Sequence, residues 1–258
     1  MKLKLFIITL ISICFSIVAQ KDITKEDIFF NRTFSQDWVF GLNSMNDGIH
    51  YTTLIHGDTV IIPKWDYQSG AIVDTILNSK DIDNVQFNNY TFNKDETLIL
   101  LEVETEKIYR YSKKSIFYLY NIKTKQLKKI FEKKIQLPTF SPNSKYISYV
   151  YRNNIYIYDI LNGKTKKITH KGLPNKVICG ATDWVYEEEF GLVKGYEWSP
   201  NSEFIAYYIF NESKVPEFSM DIFEEELYPK QQRFKYPKAG ERNSQVKINI
   251  FNLKNETE

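Results

Sequence analysis

The 258-residue chain has only two cysteines, three histidines, three methionines and ten glycines. Two cysteines allow at most one disulfide, which excludes a disulfide-built scaffold. If Cys14 leaves with an N-terminal leader, Cys179 stands alone and reads as a small buried hydrophobe rather than a nucleophile. His50 and His56 flank a predicted strand and His170 follows another, so no convergent metal-ligand set emerges, and His-Glu-x-x-His is missing. Also missing are Gly-x-Ser-x-Gly, which excludes a nucleophile elbow within these residues, and any phosphate-cradling glycine loop. Nothing here supplies a catalytic residue, a metal site or a cofactor site. Charge of one sign does not dominate either: 34 Lys+Arg against 32 Asp+Glu leave +2. That excludes a global field for nucleic acid or anionic membrane. The one long apolar run, residues 5–18, is shorter than the about 20 residues a membrane span needs.

That run does have a reading. Lys2 and Lys4 precede it, Ala19-Gln20 close it, and Lys21-Asp22 follow. A basic start, a short apolar middle and a small residue before a polar stretch predict a signal peptide over residues 1–19, with an uncleaved anchor as the alternative. Export to the periplasm or the outside follows, with membrane association under the anchor reading. Residues 20–258 then form the folded part. Aromatics are abundant there: the chain holds 18 Tyr, 18 Phe and 4 Trp, 16% in all. Such side chains suit a pleated surface and predict β-structure.

A repeat organises the strands. Asp47-Gly48, Asp95-Glu96, Asn143-Ser144 and Asn201-Ser202 each precede an apolar or alternating run. Two copies are nearly identical: Phe140-Ser-Pro-Asn-Ser-Lys-Tyr-Ile-Ser-Tyr149 and Trp198-Ser-Pro-Asn-Ser-Glu-Phe-Ile-Ala-Tyr207. Proline pre-sets the first turn dihedral, and asparagine tolerates the left-handed region. Turn and strand recurring every 40–50 residues or so is the pattern of β-propeller blades; a sandwich would turn every 8–12 or so without a longer period. The expectation is an all-β partial propeller, about four blades of four-stranded antiparallel sheet.

The longest break in the repeat is residues 171–196. Inside it, Thr182-Asp-Trp-Val-Tyr-Glu-Glu-Glu-Phe190 predicts one short helix, capped by Thr182 or Asp183, with its acids favourable to the dipole and Gly191 as its stop. Successive helical residues lie about 100° apart, so at most two of Glu187, Glu188 and Glu189 share a face. Two carboxylates on a rigid element suit an ammonium group. A solvated acidic face is the plainer alternative for such a run.

These residues resemble a known family. The string Ala181-Thr-Asp-Trp-Val-Tyr-Glu-Glu-Glu-Phe190, with Trp198-Ser-Pro-Asn, Phe204-Ile-Ala-Tyr-Tyr, Phe210-Asn-Glu-Ser, Val215-Pro and Tyr236-Pro-Lys-Ala-Gly240, is similar to the N-terminal propeller of dipeptidyl peptidase IV. Leu98-Ile-Leu-Leu-Glu102, Tyr109-Arg-Tyr-Ser112 and Tyr118-Leu-Tyr-Asn-Ile122 extend the likeness upstream, from about Phe29 to the end, in a bacterial-type version. The resemblance implies that Glu188 and Glu189 hold the free N-terminal ammonium of a peptide. It implies that Arg110 contacts the substrate backbone carbonyl, with Trp184 and Tyr186 supporting the helix. In that family an Xaa-Pro or Xaa-Ala dipeptide is cleaved from a peptide N-terminus. A Ser-Asp-His triad does so from a C-terminal hydrolase domain that these residues do not include.

The reading that follows is the substrate-recognition part of an exported serine exopeptidase, a fragment inactive alone. Its expected partners are peptides with a free N-terminus, the hydrolase domain and, in full-length members, a second copy of the chain. A non-catalytic propeller of the cell envelope, acting as a binding module, is the alternative. If Glu187 points to solvent, its loss should matter far less than that of its two neighbours.

Overall fold

The computed structural model describes residues 22–36 and 38–258. The predicted leader, residues 1–19, lies outside the described residues. The chain divides into two units, Met1–Val39 and Phe40–Glu258. In the first, a single turn of helix, α1 (Lys25–Phe29), starts at a capping box. The Asp27 N–H donates to Thr24 Oγ1 (3.1 Å), and the Asp27 carboxylate accepts from the Thr24 N–H (3.2 Å).

The second unit is built from antiparallel sheets. The first is β1 (Phe40–Ser44), β2 (His50–His56), β3 (Val60–Asp66) and β4 (Ile72–Asn78), paired in chain order. The second is β5 (Asn89–Phe92), β6 (Leu98–Lys107), β7 (Lys113–Asn121) and β8 (Leu127–Lys129), and the third is β9 (Gln136–Phe140), β10 (Tyr146–Tyr151), β11 (Asn154–Asp159) and β12 (Thr165–Lys167). The fourth sheet also has four strands, but they are not paired in chain order. Its edge is split into β13 (Val177–Cys179) and β14 (Tyr196–Trp198), with helix α2 (Trp184–Phe190) between them. Both halves pair with β15 (Phe204–Asn211), which also pairs with β18 (Gln245–Asn252), so this sheet is three strands deep. A separate hairpin, β16 (Glu217–Ile222) and β17 (Lys230–Lys235), is inserted between β15 and β18.

Period-two alternation of strand side chains places a core on both sides of each inner sheet. Along β6, Ile99, Leu101 and Val103 join Leu54, Ile62 and Leu77 of the first sheet, while Leu98 and Leu100 join Ile147 and Tyr149 of the third. Val150 and Ile155 of the third sheet pack with Ile205, Tyr207 and Phe251 of the fourth. Three cores thus interleave four consecutive blades of a partial propeller. Free Cys179 is fully buried in the last of them, and burial pushes its thiol pKa up, as befits a small hydrophobe.

The four recurring turns share one geometry. Gly48, Glu96, Ser144 and Ser202 all have positive φ (71, 53, 57 and 62°). Each donates its N–H three residues back, to Met45, Asn93, Ser141 and Ser199 respectively. The left-handed residue is therefore the one after the asparagine, not the asparagine itself. Asn143 and Asn201 instead accept through their side chains from the N–H groups of Lys145 and Glu203. Consecutive turns also touch: the Asn46 N–H donates to Glu96 (2.7 Å), Asn93 Nδ2 to Ser144 Oγ (3.0 Å) and the Asn143 N–H to Ser202 Oγ (3.0 Å). The repeat is a hydrogen-bonded chain of turns along one end of the sheets.

Candidate functional site

The split edge strand positions the site. The Gly180 N–H donates to the Tyr208 carbonyl (3.1 Å), and the Tyr208 N–H donates to the Gly195 carbonyl (2.8 Å). The strand therefore leaves the sheet and re-enters it opposite a single residue. The neck of the excursion is closed by the Gly195 N–H on the Gly180 carbonyl (3.0 Å). A Cβ on Gly195 would stand 2.8 Å from the Ala181 oxygen, so the neck requires glycine there.

Within the excursion the expected helix forms. It runs Trp184–Phe190 and Asp183 is its N-cap, accepting from the Tyr186 N–H (3.0 Å). Thr182, the other expected cap, instead donates its hydroxyl to the Leu192 carbonyl. Gly191 ends the helix at φ +64°. With only seven residues between Asp183 and Gly191, the helix has Glu188 and Glu189 in its last turn, where the dipole favours cations. The expectation of a favourable dipole fails for these two, and they sit where a positive partner is needed.

The rings flanking the acids anchor the helix on both sides. Trp184 packs edge-on against Tyr236 (4.8 Å between centroids) and tilted against Phe234 (5.8 Å). Tyr186 packs against Phe210 (4.8 Å) and Phe190 (5.2 Å). Trp184 thus ties the helix to the β16–β17 hairpin, and Tyr186 ties it to β15.

The three glutamates have three environments. Glu187 is 1% exposed, and its Oε1 accepts from the backbone N–H groups of Tyr111 and Ser112, both at 2.8 Å. It does not point to solvent; the helix turns it inward, towards the tip of the β6–β7 hairpin. Glu188 accepts from Arg110 Nε at 2.7 Å, with its side chain 14% exposed and that of Arg110 67% exposed. This contact raises the already high Arg110 pKa. Glu189 is exposed and makes no hydrogen bond or ion pair with another described residue. The structure brings Arg110 and Glu188 together from positions 78 residues apart, and Glu189 follows Glu188 in the last turn of the helix.

The hairpin tip reaches the helix from two sheets away. Beyond Val103 the β6–β7 register shifts, and the last four residues of β6 are exposed. Buried Glu102 fixes this departure by accepting from Ser115 Oγ (2.7 Å), Thr105 Oγ1 (3.0 Å) and Lys113 Nζ (2.7 Å). At the tip, the Ile108 N–H closes on the Ser112 carbonyl (2.9 Å), and the Tyr109 ring packs on Phe234 (6.1 Å).

Beside buried Glu187 lies a polar cavity of about 160 Å³, lined in part by Tyr109, Ser112, Asp183, Glu187, Glu212 and Lys235. Glu212, 6% exposed, is a residue that sequence reasoning did not single out. Burial, and then the charge of Asp183, push its carboxyl up to about 7, against the pull of Lys235. Burial, followed by Glu212, Glu187 and Asp183, likewise moves the Tyr109 hydroxyl up to about 12. A larger groove of about 460 Å³, between Ile157 and Ile168 and the Phe251 and Leu253 side, shares no residue with the clamp. Among the described residues no three His, Cys, Asp or Glu side chains converge to hold a metal ion.

Known proteins share this arrangement of sheets. Residues 93–258 match the family model described as the dipeptidyl peptidase IV (DPP IV) N-terminal region. Prolyl endopeptidase FAP of Homo sapiens is 30% identical over 236 residues, 89% of this chain and 30% of that protein. Dipeptidyl peptidase 4 of Sus scrofa is 36% identical over 174 residues, 65% of this chain and 22% of that protein. The crystal structure of Porphyromonas gingivalis dipeptidyl peptidase 4 matches with a TM-score of 0.84 at 35% identity, covering 93% of this chain and 35% of that one. The chain thus spans about a third or less of the length of these relatives. It belongs to the dipeptidyl peptidase IV family, through that family's N-terminal region.

Proposed function

We propose that this chain recognises the free N-terminus of a peptide, as the substrate-recognition part of an exported dipeptidyl-peptidase-type serine exopeptidase that takes Xaa-Pro or Xaa-Ala peptides. The observation that carries the reading is the clamp itself: Glu188 tied to Arg110 at 2.7 Å, with the unpaired Glu189 next to it on one helix end. A peptide ammonium has N–H donors for both carboxylates. Arg110 engages a described residue through Nε alone, which leaves its other guanidinium donors for a carbonyl one bond further along the peptide. A chain interior has no ammonium to offset two desolvated carboxylates, so the clamp selects ends over middles. Hydrolysis belongs to a companion catalytic domain, for which the clamp sets the register of the peptide.

Calorimetry on the chain tests this with a Gly-Pro-headed peptide and its N-acetylated form. The free peptide should bind and the acetylated one should not. Glu188→Gln and Glu189→Gln should each weaken binding by about 10- to 150-fold, the worth of one charge-assisted hydrogen bond. Affinity should also fall as pH rises past about 8, where an α-amino group loses its proton. Equal binding of the two peptides would favour an interaction module that ignores chain ends.

A further inference from the structure

We propose that Glu187 is a positioning residue for Arg110: its buried carboxylate holds the hairpin tip, residues 108–112, at the one place where the guanidinium meets Glu188. The inference rests on the reading of Arg110 and Glu188 as a peptide clamp. A buried carboxylate needs hydrogen-bond donors, and Glu187 takes both of its donors from the backbone of the two residues that follow Arg110. Those N–H groups, on Tyr111 and Ser112, lie at a hairpin tip and gain no partner there from the β6–β7 ladder, whose last pair is Lys107 with Lys113. One contact therefore partners the buried carboxylate and the buried Ser112 N–H, and adds the part-buried Tyr111 N–H to the same oxygen. The bonds also join two sheets that are not neighbours in the chain, because the hairpin comes from the second sheet and the helix from the fourth.

Geometry makes the coupling direct. Arg110 immediately precedes the two bonded amides, and Glu188 immediately follows Glu187. The acid–amide bonds and the Arg110–Glu188 bond are thus parallel rungs between the same two segments. The outer rung is solvent-exposed on the arginine side and contributes little alone. The inner rung is buried and sets the distance across which the outer one closes. Without it, the tip keeps only the packing of Tyr109 on Phe234, one residue short of the guanidinium it must place.

The test uses nuclear magnetic resonance and calorimetry on the chain. In Glu187→Ala, the Tyr111 and Ser112 amides should lose their slow hydrogen exchange, and so should the Arg110 Nε–H, although Glu188 is intact. Affinity for a Gly-Pro-headed peptide should fall by about ten- to a hundredfold, the usual effect of a misplaced binding group. Glu187→Gln retains an oxygen acceptor for both amides and should stay near wild type in all three readouts. In an Arg110→Ala background, Glu187→Ala should weaken binding little further, because the two act as one unit. If Glu187→Ala does not fold, Glu187→Met fills the same space without an acceptor and takes its place. Unchanged Arg110 Nε–H exchange and affinity in the acceptor-free variant would overturn the proposal, as would an equal loss in Glu187→Gln. Should the wild-type chain fail to distinguish free from acetylated peptide, the recognition reading falls. The exchange of Tyr111, Ser112 and Arg110 still decides the positioning role.

Discussion

Burial beside Asp183 pushes the Glu212 carboxyl up to about 7 in the folded chain. The same group in an unfolded chain titrates near 4.3 or so. Between those values the folded state holds more protons, so this group lowers stability as pH rises through the window and has no further effect above about 7. Glu212→Gln removes that linkage. Relative to wild type, the variant should gain about 1–3 kcal/mol at pH 8 and little at pH 4, read from thermal melts at the two values. A constant difference in Tm between wild type and variant across that range would refute the assignment. Neither this residue nor the inward turn of Glu187 was legible in the sequence. Helix phase says that three consecutive acids cannot share a face. It does not say which one turns inward, because that depends on how Trp184 and Tyr186 dock the helix on Phe234 and Phe210. Glu212 directly follows the end of β15, and its environment comes from the distant Asp183, Tyr109 and Lys235.

The inserted helix meets the β16–β17 arm through Trp184, which packs on both Phe234 and Tyr236. Phe234 is 7% exposed and touches Trp184 of the helix, Tyr109 of the hairpin tip, and Phe218 and Tyr236 of its own arm. It therefore backs both jaws of the clamp at once. Phe234→Ala should destabilise the fold by about 3 kcal/mol, the low end for a large aromatic, because it lies at the margin of a core. It should also weaken peptide binding. Leu227→Ala, near the hairpin turn and 87% exposed, should do neither. Chemical denaturation of both variants checks the contrast. The elements themselves were readable where local chemistry decides them: Asp183 and Gly191 bound the helix as side-chain cap and left-handed stop. The hairpin pairing of residues 217–235 was not: Phe218, Met220 and Ile222 alternate with polar residues in β16, but Lys-Gln-Gln-Arg-Phe-Lys in β17 offers only Phe234 as an apolar match.

Across the four sheets, the turn repeat was the most legible feature, because each turn needs its own left-handed residue and its own closing hydrogen bond regardless of its surroundings. The turns at positions 47, 95, 143 and 201 also carry a second message in their spacing. The last interval is longer than the two before it, and the excursion at residues 181–195 lies inside it. Because Gly180 and Gly195 stand opposite the same Tyr208, removing residues 181–195 would lead Gly180 directly into Tyr196, already paired with Tyr207. The edge of β15 would then be one unbroken strand in register. Such a shortened chain should keep its β-sheet circular dichroism and a cooperative melt, yet lose all preference for a free peptide N-terminus. A chain that no longer melts cooperatively would show that the excursion supports the sheet. The excursion is in that sense a cassette, plugged into a blade at a single backbone position, and on the proposed reading it carries the carboxylate half of peptide recognition while Arg110 stays behind on the second sheet.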